Sequence, residues 1–354
     1  MTKAELDNRK ILPLEDSWYR RVKEKLDGIA KPLDGLGKFE HLIAQIGAIE
    51  KTTKISIQKK AVLVMCADNG VVEEQVSQSG KEVTLAVAKA MGVNNSSVGK
   101  MAAVAGVDGI PVDIGIDTDE VIPGVLPRKV AKGTKNFAKE PAMTEEEVLK
   151  AIETGIQLVQ QCHREGYEIL ATGEMGIGNT TTSTAVAAAL LDLEVEQVTG
   201  KGAGLTDEAL KRKCRVIEEA IEKYSLRDAD AFTILKTVGG LDIAGLTGVF
   251  IGAAIEQIPV VIDGVISAVA ALLAETLCKG AVNYMIPSHK SRELAETAIM
   301  KKLHLDPVLD ADMALGEGTG AVMMMSLLDV ALGVYLQGAS FANFEIEQYK
   351  RYEE

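Results

Sequence analysis

Aromatic side chains are scarce in this chain, 4% of 354 residues with one tryptophan, while alanine, valine and glycine abound. That supply suits an α/β protein packed with small side chains. Cysteine and histidine are equally thin, four of each, scattered and without a Cys-x-x-Cys pair. Nothing in their spacing suggests a metal site, and four distant thiols are expected to be free in a reducing compartment. Basic charge is short: 38 Lys and Arg face 51 Asp and Glu, a net charge of −13. A nucleic-acid surface is excluded on that balance, and a cytoplasmic protein is expected. Long apolar runs are missing as well. The most apolar region, Gly245 to Ala274, is interrupted by Glu256, Pro259 and Asp263, so it reads as core elements and not as a membrane span. The polar N-terminus, Met-Thr-Lys-Ala-Glu-Leu-Asp, does not read as a signal peptide. There is no internal repeat and no low-complexity tract. No Gly-Lys-Ser/Thr of a Walker loop and no Gly-x-Ser-x-Gly elbow occurs.

What the chain does contain is an alternation of strand-like and helix-like segments, long enough for two domains. Amphipathic patterns predict helices over Ser17–Ile29 and around Phe39, Leu42, Ile43 and Ile46 before any strand. Lys60–Ala67 is a buried strand ending in Asp68-Asn69-Gly70, and Gly109–Gly115 is a second. Pro123–Lys135 reads as an exposed loop. Thr144 and Glu147 form a capping box for a helix to Arg164. Thr206 caps a further helix on which Lys211, Arg212 and Lys213 sit, either a solvated face or part of an anion site. Ile258–Ile262 and Tyr284–Ile286 are further strands, and a long apolar helix runs from Ala321 to Leu336. Residues 345–354 are a charged tail expected to fray. The pattern predicts a Rossmann-like α/β fold, a mainly parallel sheet with helices on both faces.

The most informative stretch is Tyr167 to Thr184, with glycines at 173, 176 and 178 followed by Asn-Thr-Thr-Thr. A strand over Glu168–Ala171, a glycine-rich turn and a helix whose cap is Asn179 or a threonine would converge backbone N–H groups on one spot. The helix dipole adds positive charge there, so the turn is a candidate phosphate site. Gly200–Gly204 is a second glycine-rich loop. In a parallel sheet, sites collect at the C-terminal strand ends, which makes Asp68, Glu174, Asp263, Ser288–Ser291 and Glu317 candidates. Glu317 lies between glycines at the mouth of an apolar helix. It either serves as a base with a raised pKa or complements the helix dipole.

Taken together, Lys31–Glu40, Ala67–Gly70, Gly173–Thr181, Val238–Gly240, Ile262–Gly264, Pro287–His289 and Leu315–Gly320 resemble, in order and over most of the chain, the nicotinate-nucleotide–dimethylbenzimidazole phosphoribosyltransferase family of cobalamin biosynthesis. Two stretches depart from the family pattern. Pro32-Leu-Asp-Gly-Leu-Gly37 stands where Pro-x-Gly-Ser-Leu-Gly is usual, and Asn69 stands where a histidine is usual. The resemblance implies transfer of phosphoribosyl from nicotinate mononucleotide to dimethylbenzimidazole, by one inverting displacement with Glu317 as general base. It implies no cofactor and no metal. Gly176, Gly178, Asn179, Thr180, Gly202, Lys213 and Ser291 would hold phosphate and ribose, with Glu174 and Asp263 near the sugar. Ser79, Met175 and Leu315 would face the acceptor ring. It also implies a homodimer without nucleic-acid or membrane partners. The expected division is residues 59–320 as the large domain, with 1–58 and 321–354 forming a small helical one. The alternatives are the same transfer to adenine, another benzimidazole or a phenol, a non-catalytic nucleotide-binding protein, or a dinucleotide oxidoreductase. The last would use Gly316-x-Gly318-x-Gly320, whose spacing and preceding strand match the fingerprint poorly.

Overall fold

A computed structural model of the chain describes residues 1–200, Gly202 and residues 204–351. Within the expected loop 200–204, Lys201 and Ala203 thus lie outside the described residues, as do the last three of the tail. Six strands, β1 (Lys60–Ala67), β2 (Val107–Gly115), β3 (Leu126–Pro127), β4 (Ile169–Met175), β5 (Val260–Ile262) and β6 (Met285–Pro287), form one sheet in the order β3-β2-β1-β4-β5-β6. Every pairing is parallel. A separate parallel ribbon joins β7 (His289–Ser291) and β8 (Leu309–Met313).

The alternation of side chains along β1 divides the interior into two layers. Leu63, Met65 and Ala67 join the layer beneath helices Glu145–Arg164, Asn179–Leu191, Leu241–Glu256 and Val265–Leu277. Val62, Val64 and Cys66 join the opposite layer, with helices Asp16–Asp27, Lys38–Ile49, Ser97–Ala105 and Thr319–Gln337. Covered on both faces, the strand is apolar throughout, as a parallel sheet requires. The helix Thr319–Gln337 is long and apolar enough to cross a membrane, but 56% of its apolar window is buried inside the protein, where Met324, Met325 and Leu328 pack.

The two chain ends meet beside this second layer. Ala30 N–H donates to Ala339 O at 2.8 Å, Tyr335 Oη donates to Thr53 O at 2.9 Å, and Arg351 pairs with Asp27 and Asp34.

Several sequence expectations need correction. The fourth strand continues through Gly173 to Met175 because β1 pairs with it to the end, Cys66 opposite Met175. The following helix begins at Asn179, not Ala185, so the turn shrinks to Gly176-Ile177-Gly178. Its N-cap is Gly178, with no side-chain cap. The segment 123–135 is not wholly loop, since Leu126–Pro127 pairs with Val112–Asp113 as an edge strand, where a proline is tolerated. The segment after the strand at Tyr284–Ile286, to which the sequence assigned no element, contains β7. The capping box of Thr144 and the cap of Thr206 form as expected.

Helices Glu145–Arg164 and Leu241–Glu256 approach closely through glycines. A Cβ on Gly155 would stand 2.1 Å from Gly245 O, and one on Gly248 2.0 Å from Ile152 O. Gly333, in the helix Thr319–Gln337, has no atom within 4 Å of a built Cβ. Thermal melts should separate these cases. Gly155→Ala or Gly248→Ala destabilises by about 1–3 kcal/mol through overpacking, whereas Gly333→Ala stabilises by up to about 1 kcal/mol through helix propensity. Equal melting temperatures for Gly155→Ala and Gly333→Ala would refute the close approach.

Candidate active site

Sequence order reverses between β1 and β4: β2 and β3 lie to one side, β5 and β6 to the other. Connections diverge at such a point and leave a crevice at the C-terminal strand ends. A cavity of about 310 Å³ opens there. It is lined by Glu174, Met175, Gly176, Gly178, Asn179, Thr180, Gly202, Asp263, Ser291, Leu315 and Glu317, eleven of the thirteen residues to which the family resemblance gave a role.

The other two stand off its wall. Lys213 is 1% exposed, one layer back, where its Nζ donates to Thr180 Oγ1 at 3.0 Å and Gly200 O at 3.2 Å. The solvated alternative for this lysine is thereby corrected, since helix Asp207–Lys223 turns it inward while Lys211 remains exposed. Burial pushes the Lys213 ammonium pKa down, and the Glu293 charge opposes this. Ser79 is replaced on the wall by Ser77, to whose Oγ its own N–H donates at 3.3 Å. A turn shifts lining by two residues with no trace in composition, so the sequence held no signal for it.

One end of the cavity suits an anion. The N-terminus of helix Asn179–Leu191 opens there with Gly178 and Thr180 on the wall, and the Lys213 charge sits directly behind Thr180. Glu293, which the sequence did not flag, accepts the Gly202 N–H at 3.1 Å.

Carboxylates also crowd the crevice. Asn179 is not a cap: its amide nitrogen donates to both Glu174 Oε2 and Asp242 Oδ2, the latter at 3.0 Å. Burial raises the Glu174 carboxyl to about 8, against the Asn179 hydrogen bond and with the charges of Asp242, Asp263 and Glu317. Burial likewise raises Asp242 to about 6, with the Asn179 amide and the Ile243 N–H opposing. Asp242 was missed although it lies two residues after the Val238–Gly240 stretch that carries the resemblance.

Asp263, at the end of β5, accepts backbone N–H groups from Gly318, Gly320 and Ala321. Burial raises its carboxyl pKa, against the His289 charge and the Ala321, Gly318 and Gly264 N–H groups. His289 is buried beside it, its Nδ1 2.9 Å from Ser288 Oγ. Glu317 is half-buried, and its Oε2 accepts the Val98 N–H at 3.0 Å. Val87, Met175, Ile266 and Leu315 supply apolar wall.

Among the described residues, one set of carboxylates is near enough to share a metal ion, Asp27, Asp34 and Glu40. It lies outside the cavity and is paired with Lys23, Lys31 and Arg351.

The arrangement offers an anion seat, an apolar slot and carboxylates in one crevice. The DBI_PRT family model, described as a phosphoribosyltransferase, matches residues 11–346. A nicotinate-nucleotide–dimethylbenzimidazole phosphoribosyltransferase of Acetivibrio thermocellus is 45% identical over 93% of this chain and 94% of its own length. One of Clostridium acetobutylicum is 43% identical over 95% and 96%. The crystal structure of CobT from Thermus thermophilus superposes with a TM-score of 0.89 at 33% identity, covering 94% of this chain and 100% of that one. With its fold and nearly its full length in common with these proteins, the chain belongs to the DBI_PRT phosphoribosyltransferase family.

Proposed function

We propose that the protein transfers phosphoribosyl from nicotinate mononucleotide to dimethylbenzimidazole, releasing nicotinate and an α-riboside phosphate. The observation that carries this assignment is one cavity that combines an anion seat, apolar wall and Glu317. The names of the relatives supply the two substrates. The donor phosphate sits on Gly176, Gly178, Thr180, Gly202 and Ser291, with Lys213 acting from behind through Thr180. Asn179 and Glu174 face the ribose. Met175 and Leu315 hold the acceptor ring, with Ser79 contributing through its contact to Ser77.

The donor brings its own leaving group, a pyridinium on the anomeric carbon. The electron pair of the breaking C–N bond returns to that ring, which leaves neutral at nitrogen and needs no protein acid. One benzimidazole nitrogen attacks the opposite face, so a β donor gives an α product in a single displacement. The developing oxocarbenium charge is served by positioning and by nearby carboxylates. Attack would leave the acceptor cationic. Glu317 takes the proton from its second nitrogen and passes it to solvent. The Val98 N–H holds Oε2, and we assign Oε1 as the proton acceptor. No metal or cofactor enters this scheme.

We also take residues 59–320 as the catalytic domain, with 1–58 and 321–354 as a small one. The contacts between the chain ends support that division. We infer a homodimer, supported by the exposed apolar Val104, Met323 and Val330 on helices Ser97–Ala105 and Thr319–Gln337. Light scattering should give twice the 37.7 kDa chain mass, and a single-chain mass would refute it.

Chromatography of nicotinate release tests the chemistry. Glu317→Gln keeps the fold and lowers kcat by about 10²–10⁴, the usual span for a general base. Near-normal turnover would remove Glu317 from that role. In the same assay Lys213→Ala raises the donor KM at least tenfold, and an unchanged KM would remove Lys213 from the phosphate seat.

A further inference from the structure

We propose that Asp263 is a positioning residue, whose buried carboxylate at the end of β5 fastens the Gly316-Glu317-Gly318 turn to the sheet and so sets where the Glu317 carboxylate stands. The proposal deepens the preceding assignment and rests on Glu317 as proton acceptor. It departs from the role expected from the sequence, in which Asp263 lies near the sugar.

The need for such a fastening starts in the sequence. The helix Thr319–Gln337 is preceded by Gly318, which has no side chain to cap the first-turn N–H groups. Asp263 supplies the cap from another element. Its Oδ2 accepts Gly318 N–H at 3.0 Å, and its Oδ1 accepts Gly320 and Ala321 N–H at 2.9 and 3.1 Å. A carboxylate at this point also complements the helix dipole. Asp263 is itself held in place: its N–H donates to Ser267 Oγ at 3.1 Å, and Ser288 Oγ donates to its carbonyl at 3.4 Å.

The turn it holds is strained. Gly316, Glu317 and Gly318 have successive φ values of +84°, +61° and +91°. The two glycines adopt these freely, but a glutamate there costs energy and persists only where its surroundings over-determine it. They do so here. Thr319 Oγ1 donates to Gly316 O at 2.8 Å. Gly173 packs so closely that a Cβ would stand 2.5 Å from Glu317 O. Without Asp263, the turn loses its tie at Gly318, next to the residue that must meet the acceptor nitrogen, and the helix start that anchors it loses two more, at Gly320 and Ala321. With both oxygens engaged by backbone N–H groups, Asp263 acts on the reaction through this turn.

Asp263→Asn places an amide NH₂ where an acceptor is needed and tests the proposal. The expected result is a kcat lowered at least tenfold, with the nicotinate mononucleotide KM within threefold of wild type. The double variant with Glu317→Gln should then be no slower than Glu317→Gln alone, because Asp263 works through Glu317. A donor KM raised tenfold at unchanged kcat would make Asp263 a sugar contact and overturn the proposal, as would multiplicative losses in the double variant.

Amide hydrogen exchange over residues 316–321, measured by mass spectrometry, is the readout independent of catalysis. It should be faster in Asp263→Asn, and unchanged exchange overturns the clamp. If wild-type protein releases no nicotinate, the transferase assignment fails, and exchange still decides the clamp. Should Asp263→Asn not fold, Asp263→Ser, which keeps one small acceptor, carries the same exchange test.

Discussion

All six strands of the main sheet point the same way, and this constraint organises everything else. Their C-terminal ends share one edge, and the reversal of order between β1 and β4 parts the chain there. Strands β4 and β5 deliver Glu174 and Asp263 to the crevice, and Asn69 after β1 donates from behind to Ile177 O in the turn that lines it. A parallel sheet is apolar on both faces, so the strand ends are where it can present charge to a ligand.

Collecting charge in a buried place has a cost, since an unpaired buried ion is unfavourable by several kcal/mol or more. The structure offsets it with backbone donors. Asp242 takes the Ile243 N–H at the start of one helix, and Asp263 takes three N–H groups at the start of another. Glu174 shares the Asn179 amide, and its raised pKa favours the neutral form near pH 7. The helix N-termini at Leu241 and Thr319 thus have carboxylates of the chain itself, and Glu317 takes the Val98 N–H at the start of Ser97–Ala105. The N-terminus at Asn179 has a glycine cap and the Lys213–Thr180 pair beside it, the arrangement that suits an anion from outside. Anion-binding groups and carboxylates thus share the crevice, with Glu293 on the Gly202 N–H and Glu174 on the Asn179 amide.

Much of this was legible because it is local. The apolar run Lys60–Ala67 could only be a strand covered on both faces, and Thr144 with Glu147 could only begin a helix. Glycines at 176 and 178 before Asn-Thr-Thr marked the phosphate turn, and the order of short motifs marked the family. The errors were equally specific. Ala171 looked like the end of β4, but pairing with β1 carries it to Met175. Asn179 looked like a cap, but two carboxylates from other elements take its amide. Lys213 looked half like solvated surface, but its helix rotates it under Thr180.

The sequence by itself determined most element types and the parallel class of the sheet, and the family resemblance it carries named half of the cavity residues. Periodicity, caps and glycines act within a few residues of chain, and their physics needs no partner. The tertiary structure alone decided which side chains touch. The pairing of Asn179 with Asp242 and that of Asp263 with Gly318 each join residues more than fifty positions apart. Long-range contacts follow from strand order and helix rotation. These set which buried carboxylate meets which N–H, and so which is ligand-facing and which holds the turn.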